Sequence, residues 1–148
     1  MVKYFLTNNS LQTKKAGQAL AANILKSPVR TSAVVLGLRG DLGGGKTTFL
    51  QGLAKGLGIK DKVLSPTFIV MRRMEINKTR FKNFYHLDCY RIENDKELLT
   101  LGWENIISDP QNIIAIEWVD KIKKILPKDC LMLEFEFLNK NKRKIIVK

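Results

Sequence analysis

The most specific chemical pattern in the sequence is a glycine-rich segment that ends in a lysine. Residues 40–47 read GDLGGGKT and match GxxxxGK(S/T), the pattern of the phosphate-binding loop, or P-loop. Its glycines permit backbone angles that turn successive N–H groups into one concavity, so the backbone itself can hold a phosphate. The expected nucleotide-binding residues are Gly40, Asp41, Leu42, Gly43, Gly44, Gly45, Lys46, Thr47 and Thr48.

Two side chains of this segment have separate expected tasks. Lys46 is expected to neutralise the β and γ phosphate oxygens, and the Thr47 hydroxyl to ligate Mg²⁺. An apolar run precedes the segment and a helical pattern follows it, as a P-loop requires. A glycine-rich turn that merely precedes a helix is the structural alternative, and this context argues against it.

An acidic residue ends a second buried-type strand. Residues 113–116 are all apolar and Glu117 follows them, which is the pattern of the metal-binding acid of P-loop proteins with Glu in place of Asp. We therefore expect Glu117 to hold Mg²⁺ together with Thr47. The alternative is a charge that marks the exit of the strand to solvent. Trp118 is expected to pack against a base or a partner, or to be half-buried core.

A third polar cluster lies in HLDCYR, residues 86–91. Strand alternation places His86, Asp88 and Tyr90 on one face, near the sheet edge where α/β proteins bind ligands. Asp88 is then a candidate to orient water or to act in the outer shell of the metal, with His86 as its supporting neighbour. Arg91 is a candidate to stabilise phosphate charge. A hydrogen-bonded structural network around a buried histidine accounts for the same spacing, and the spacing alone slightly favours it.

Length and composition describe an ordinary globular domain with a basic bias. The chain has 148 residues, 26 Lys or Arg against 14 Asp or Glu, and a net charge of +12. We expect residues 1–148 to form one single domain that contains the P-loop. The charge excess fits an electropositive face for RNA or phosphates, and it equally fits a merely lysine-rich composition.

Several features favour a cytoplasmic protein with no membrane association. The longest charge-free stretches are residues 4–13 and 16–25, far short of the ~20 apolar residues that a spanning helix needs. No charged segment followed by an apolar run opens the chain. Cys89 and Cys130 are isolated, so neither a disulfide scaffold nor a CxxC metal site is visible.

Apolar periodicity predicts strands that alternate with helices. Strands are expected at residues 3–6, 33–39, 68–76, 80–88, 113–117, 131–138 and 144–147, and helices at 11–25, 47–57, 95–101 and 119–125. Asp95 is the candidate cap of the third helix, with Gly102 at its end. Together with the glycine-rich motif, this order predicts an α/β P-loop NTPase fold: a mostly parallel central sheet flanked by helices, with added antiparallel hairpins.

Three other functions share parts of this pattern. A small-molecule or nucleoside kinase has the same loop, and Arg72, Arg73 and Arg80 are candidates for its lid, although the surrounding segment reads as a hairpin. A GTPase needs an NKxD motif, and residues 77–80 lack its acid. A basic RNA-binding module explains the charge but leaves the loop and Glu117 unused, and no known RNA-binding signature is visible.

Taken together, the motifs resemble those of the bacterial TsaE (YjeE) family, P-loop ATPases required for formation of threonylcarbamoyladenosine in tRNA, next to the anticodon. The match spans about residues 5–137, in the family's order: GDLGGGKTT (40–48), SPTF (65–68), YHLDCYR (85–91), EL (97–98), LG (101–102), EW (117–118) and LP (126–127). The loop alone is common to many families, but this combination is specific. This sequence has Gly44 where the family usually has Ala, and Cys89 where it usually has a large apolar residue. Neither position is one whose side chain is assigned a chemical role.

The resemblance implies ATP and Mg²⁺ as cofactors and a slow ATPase accessory to another enzyme. Asp88, Lys46 and Thr67 take the catalytic roles, Thr67 as a switch-type threonine that senses the γ-phosphate. The implied partners are TsaD, which performs the transfer, and TsaB, with tRNA as a further contact within that complex. ATP hydrolysis is then expected to reset the complex between turnovers. The preference for ATP over GTP also rests on the resemblance, because no base-reading motif is visible.

Overall fold

The computed structural model describes residues 3–40, 45–60, 70–77 and 79–148. Within them, one mixed sheet has the strand order β1-β7-β6-β2-β5-β4-β3. Its strands are β1 (Lys3–Thr7), β2 (Val34–Gly40), β3 (Met71–Glu75), β4 (Asn83–Asp88), β5 (Asn112–Glu117), β6 (Leu131–Phe137) and β7 (Arg143–Val147). The helices are α1 (Ser10–Lys26), α2 (Lys46–Gly56), α3 (Lys96–Thr100), α4 (Trp103–Ser108) and a 3₁₀ helix (Val119–Ile125).

The centre of the sheet is parallel. Strand β2 pairs with β5 on one side and β6 on the other, and β5 pairs with β4, all in parallel. Every residue of β5 is buried, as expected for a strand whose two faces are both covered. Because parallel strands end at the same edge, the register sets Leu38 beside Glu117 and Glu117 beside Asp88. This edge carries most of the polar residues singled out in the sequence.

Antiparallel strands extend the parallel centre on both sides. Strand β3 pairs antiparallel with β4, and β7 lies antiparallel between β6 and β1. The predicted α/β architecture with added hairpins is confirmed. Of the predicted strand 68–76, the described part contains β3 at Met71–Glu75, and residues 68–69 lie outside the described residues, as does Lys78.

Two apolar cores cover the two faces of the sheet. Helices α1 and α2 pack on one face, where Ala21, Leu36 and Leu53 belong to the same buried cluster. The other face is covered by α3, α4 and the 3₁₀ helix, with Trp103 and Ile116 in a second buried cluster. The sheet therefore holds its polar edge between two dry layers.

The helix after β4 differs from its predicted form. Asp95 makes no side-chain capping bond within the described residues; instead Asn94 Oδ1 accepts the Lys96 N–H at 2.9 Å. Gly102 ends this helix as predicted, at φ 87°, but it also begins α4, which the periodicity did not indicate. The helix at 119–125 is a 3₁₀ helix with a non-helical residue at Ile122. None of the helices in the described ranges is long and apolar enough to cross a membrane.

The α1–α2 contact is close enough to exclude a single methyl group. A Cβ on Gly52 would lie 2.0 Å from the Lys14 carbonyl oxygen, and one on Gly17 would lie 2.2 Å from that of Phe49. Both obstacles are backbone atoms, so the helices would have to separate.

We expect Gly52→Ala to lower the free energy of unfolding by about 2 kcal/mol or more, because overpacking outweighs the gain in helix propensity. Urea denaturation measures the change. Gly58→Ala is the matched control: no described atom lies within 4 Å of its new Cβ, and only the positive φ of 78° opposes it, at about 1 kcal/mol. Equal losses in the two variants would contradict the close-packing argument.

Candidate nucleotide and metal site

The glycine-rich segment connects the end of β2 to the start of α2. Gly40 has φ 143° and Gly45 has φ 95°, so both occupy backbone angles that side chains disfavour. Thr47 and Thr48 lie in the first turn of α2. Asp41, Leu42, Gly43 and Gly44 lie outside the described residues and remain sequence predictions.

The N-terminus of α2 suits an anion. Its first turn contains no acidic residue, and no side chain of the described part caps it. The first N–H groups of a helix have no partner within the helix, and the helix dipole adds positive potential there. A phosphate can satisfy both.

Lys46 is a buried cation at the base of this loop, with 6% of its surface exposed. Its Nζ donates to the Gly40 carbonyl oxygen at 2.5 Å and lies 4.6 Å from the centre of the Trp118 ring. The ammonium thus joins the two ends of the glycine-rich segment and faces the residue that follows Glu117.

Glu117 is buried together with His86. The His86 Nε2 and Glu117 Oε2 atoms are 2.8 Å apart, and the side chains are 1% and 6% exposed. Burying an unpartnered carboxylate is strongly unfavourable, so this contact is what allows Glu117 to lie inside the sheet edge. The interpretation of Glu117 as a strand-end charge in solvent is therefore wrong. The expected role of His86 also changes, since its hydrogen bond goes to Glu117 rather than to Asp88.

Asp88 ends β4 beside Glu117 and is only partly buried. Its Oδ1 accepts the Tyr90 N–H at 3.0 Å. Burial raises the pKa of Asp88 above its usual 3.8, and the charge of Glu117 adds to that rise. The Tyr90 hydrogen bond and the charges of His86 and Lys46 lower the pKa by less. A carboxylate kept in an unfavourable environment at a sheet edge is typical of functional sites.

Trp118 has a backbone conformation that is unusual for a bulky residue. Its φ is 58°, the only positive φ outside glycine among the described residues. The ring lies 4.9 Å from that of Tyr90, at 53° between their planes. Such strain persists only where the surroundings enforce it, and here Lys46 and Tyr90 contact the ring. Trp118 is also half-buried against the second apolar cluster, as one of its two expected roles predicted.

A shallow cavity of about 200 Å³ lies against these side chains. It is lined by Leu38, Arg39, Gly40, Lys46, Trp118 and Asp120. Arg39 and Asp120 form one wall, where Arg39 Nη2 lies 2.7 Å from the Asp120 carboxylate. Arg39 Nη1 also lies 3.3 Å from Glu134, which is not among the lining residues. Sequence reasoning missed all three charged residues. Only the position of Arg39, directly before Gly40, pointed to the site.

Other residues named in the sequence lie elsewhere. Thr67 and the rest of SPTF are outside the described residues. Arg91 is exposed, directly after Tyr90. The arginines suggested for a kinase lid belong to the β3–β4 region, where Arg73 donates to Asn83 and Arg80 to the carbonyls of Ser27 and Pro28. Around them the described chain forms a hairpin, so the helical lid is not supported.

The fold and motif define an α/β protein with a phosphate-loop sequence after its central strand and a buried acid at the end of the adjacent strand. Comparison with known proteins identifies the family. The family model "Threonylcarbamoyl adenosine biosynthesis protein TsaE" matches residues 7–145. The chain belongs to the TsaE family, as its motifs predicted.

Individual relatives agree with this assignment. A "tRNA threonylcarbamoyladenosine biosynthesis protein TsaE" of Rickettsia typhi is 34% identical over 95% of this chain and 91% of its own. A protein of the same name from Nostoc sp. is 39% identical, and the match covers 82% of this chain and 70% of the Nostoc chain. The crystal structure of YdiB from Bacillus subtilis is similar with a TM-score of 0.74 and 28% identity, covering 99% of this chain and 84% of that one.

The raised pKa of Asp88 predicts a stability effect with a defined sign. Above pH 3.8, Asp88 loses its proton in the unfolded chain, whereas its raised pKa in the folded chain keeps the proton bound to a higher pH. The wild type therefore loses stability as the pH rises from 3.8 through the pKa of the folded state.

Asp88→Asn keeps the acceptor for Tyr90 and removes the charge. We expect the variant to have a higher melting temperature than the wild type at pH 7, and the difference to shrink towards pH 3.5. Thermal denaturation at both pH values measures it, and a lower melting temperature of the variant at pH 7 would identify Asp88 as a structural residue instead.

Proposed function

We propose that this protein is a Mg²⁺-dependent ATPase that serves the formation of threonylcarbamoyladenosine in tRNA. Family membership supports the pathway. One observation carries the ATPase: the buried Lys46 lies 4.6 Å from the ring of Trp118, the residue after Glu117, and Glu117 is paired in register with Asp88, so a cation and two carboxylates converge at one sheet edge. That edge adjoins the N-terminus of α2, which favours phosphate.

The described residues fit a nucleoside triphosphate. Gly45 and the first turn of α2 offer N–H groups, and Lys46 offers a charge that is already desolvated. Lys46 has to exchange its contact with the Gly40 carbonyl, or share it, in order to bind phosphate oxygens. The Trp118 ring closes the same side of the cavity, where it can shield the phosphates from water.

The residues also fit magnesium, provided that a nucleotide supplies further oxygens. Mg²⁺ in proteins is usually held by one or two carboxylates together with substrate phosphates and water. Among the described residues, no group of three His, Cys, Asp or Glu side chains forms a metal site by itself. Thr47 and Glu117 are the proposed ligands, with His86 orienting the Glu117 carboxylate from behind. The ion would neutralise charge on the β and γ phosphates.

Asp88 is proposed to act in turnover rather than in affinity. Its raised pKa makes it a better proton acceptor than an ordinary aspartate, and it lies beside Glu117 without sharing the His86 contact. A second carboxylate aimed at a triphosphate would repel it, so contact through a water molecule is the more favourable geometry.

The proposed partners are TsaD and TsaB, in a cytoplasmic complex that ATP hydrolysis resets between transfers. This part of the proposal rests on the family resemblance. Intrinsic hydrolysis should then be slow, because switch-like P-loop proteins reach full activity only with a partner.

Lys46→Ala tests nucleotide binding. We expect ATP affinity to fall at least tenfold, since one desolvated charge-assisted contact typically contributes about 1.5–3 kcal/mol. Calorimetric titration on the folded variant gives the affinity. Lys55→Ala, an exposed lysine in the last turn of the same helix, is the control and should bind like the wild type. Unchanged ATP affinity in Lys46→Ala would contradict the proposed site.

A further inference from the structure

The β6–β7 hairpin ends in a cluster of basic residues. We call residues 137–144, FLNKNKRK, the basic tip; it contains four cations and no acid. Phe137 and Leu138 are 55% and 48% exposed, although both are large apolar residues. The nearest acid along the strands is Glu136, which is paired in register with Lys144. Like charges at such density repel one another unless an anion lies nearby.

The basic tip is held in one shape by its own hydrogen bonds. Asn139 Oδ1 accepts the N–H groups of Asn141 and Lys142 at 2.9 and 3.0 Å. Arg143 Nη1 donates to the Asn139 carbonyl at 2.9 Å and to the Lys142 carbonyl at 3.1 Å. The exposed side chains of Lys140 and Lys142 therefore project from a preorganised turn, which reduces the entropy lost on binding a ligand.

Aromatic rings lie beside two of these cations. The Arg143 guanidinium carbon is 4.5 Å from the centre of the Phe137 ring, and Lys144 Nζ is 5.2 Å from that of Tyr4, which is 61% exposed. Unpaired RNA bases stack on aromatic faces and on arginine planes, while lysines bind the phosphates between them. A protein surface of acidic residues would match the charge but would leave the exposed rings without a role.

We propose that the basic tip binds RNA, and specifically an unpaired loop of tRNA. Lys140 and Lys142 bind backbone phosphates, and the Phe137–Arg143 pair stacks with a base. The family model and the relatives are named for a biosynthesis that modifies tRNA, so tRNA is the RNA that we choose. The proposal goes beyond the ATPase and does not depend on it, because RNA binding can be measured without nucleotide.

The tip also adjoins the proposed nucleotide site. A Cβ on Gly45 would lie 3.7 Å from Cγ of Arg143, so the stem of this arginine packs against the last glycine before α2. RNA bound at the tip would thus lie next to the glycine-rich segment.

The test is fluorescence anisotropy with a labelled tRNA anticodon stem-loop and the full chain, over a range of salt concentrations without ATP. Lys140→Ala/Lys142→Ala should weaken binding about tenfold or more, and should lower the slope of log K against log salt by about 1.5, as expected for two lost phosphate contacts. Phe137→Leu should weaken binding about tenfold with the slope unchanged, because it removes stacking and no charge.

Lys96→Ala/Lys124→Ala is the matched control. It removes the same charge from exposed positions on α3 and the 3₁₀ helix, and it should keep affinity within about twofold. The tip variants change exposed side chains only, and thermal denaturation verifies that they fold.

Three results would overturn the proposal. The wild type could fail to bind the stem-loop, or the control variant could lose as much affinity as the tip variant, in which case net charge alone binds RNA. The third result is that Lys140→Ala/Lys142→Ala binds the stem-loop like the wild type but loses binding to TsaD and TsaB. The basic tip would then be a protein-docking surface.

Discussion

The contact between His86 and Glu117 is the interaction on which the rest of the site depends. A glutamate side chain that is 6% exposed is tolerated only with a close polar partner, and His86 at 2.8 Å is that partner. The contact requires β4 and β5 to pair in parallel with one register, because a shift of one residue would turn either side chain to the opposite face. The same register brings Asp88 beside Glu117, whose charge adds to the rise in the Asp88 pKa that burial causes.

The site stores unfavourable energy that the cores offset. Trp118 has a positive φ, Lys46 is buried, and burial raises the pKa of Asp88. Two dry apolar layers enclose β2 and β5 and hold the strand ends in place. Such a balance of a strained edge and a well-packed interior is what function at that edge would require.

Much of this arrangement was predictable from local patterns in the sequence. The apolar runs before Gly40 and Glu117 indicated the parallel strands, and GxxxxGK(S/T) marked the turn between β2 and α2. The partner of His86 was not predictable, because it lies on a strand 31 residues away in sequence and depends on which strands become neighbours. The same reason hid the Arg39 ion pairs to Asp120 and Glu134 and the contact of Arg143 with Gly45. Helix α4 was missed because only Leu101 and Gly102 separate it from α3, and its six residues are too few to show a period.

The central claim is that Glu117 is buried beside His86 in order to serve magnesium-dependent ATP hydrolysis. The most direct measurement is phosphate release from ATP by the wild type and by Glu117→Gln, with TsaD and TsaB present, as Mg²⁺ is titrated. Gln keeps the shape and can still bond to His86. The account predicts Mg²⁺-dependent release by the wild type, and a rate reduced at least a hundredfold in a variant that still folds and binds Mg²⁺-free ATP. Equal rates and equal Mg²⁺ dependence in the two proteins would contradict it.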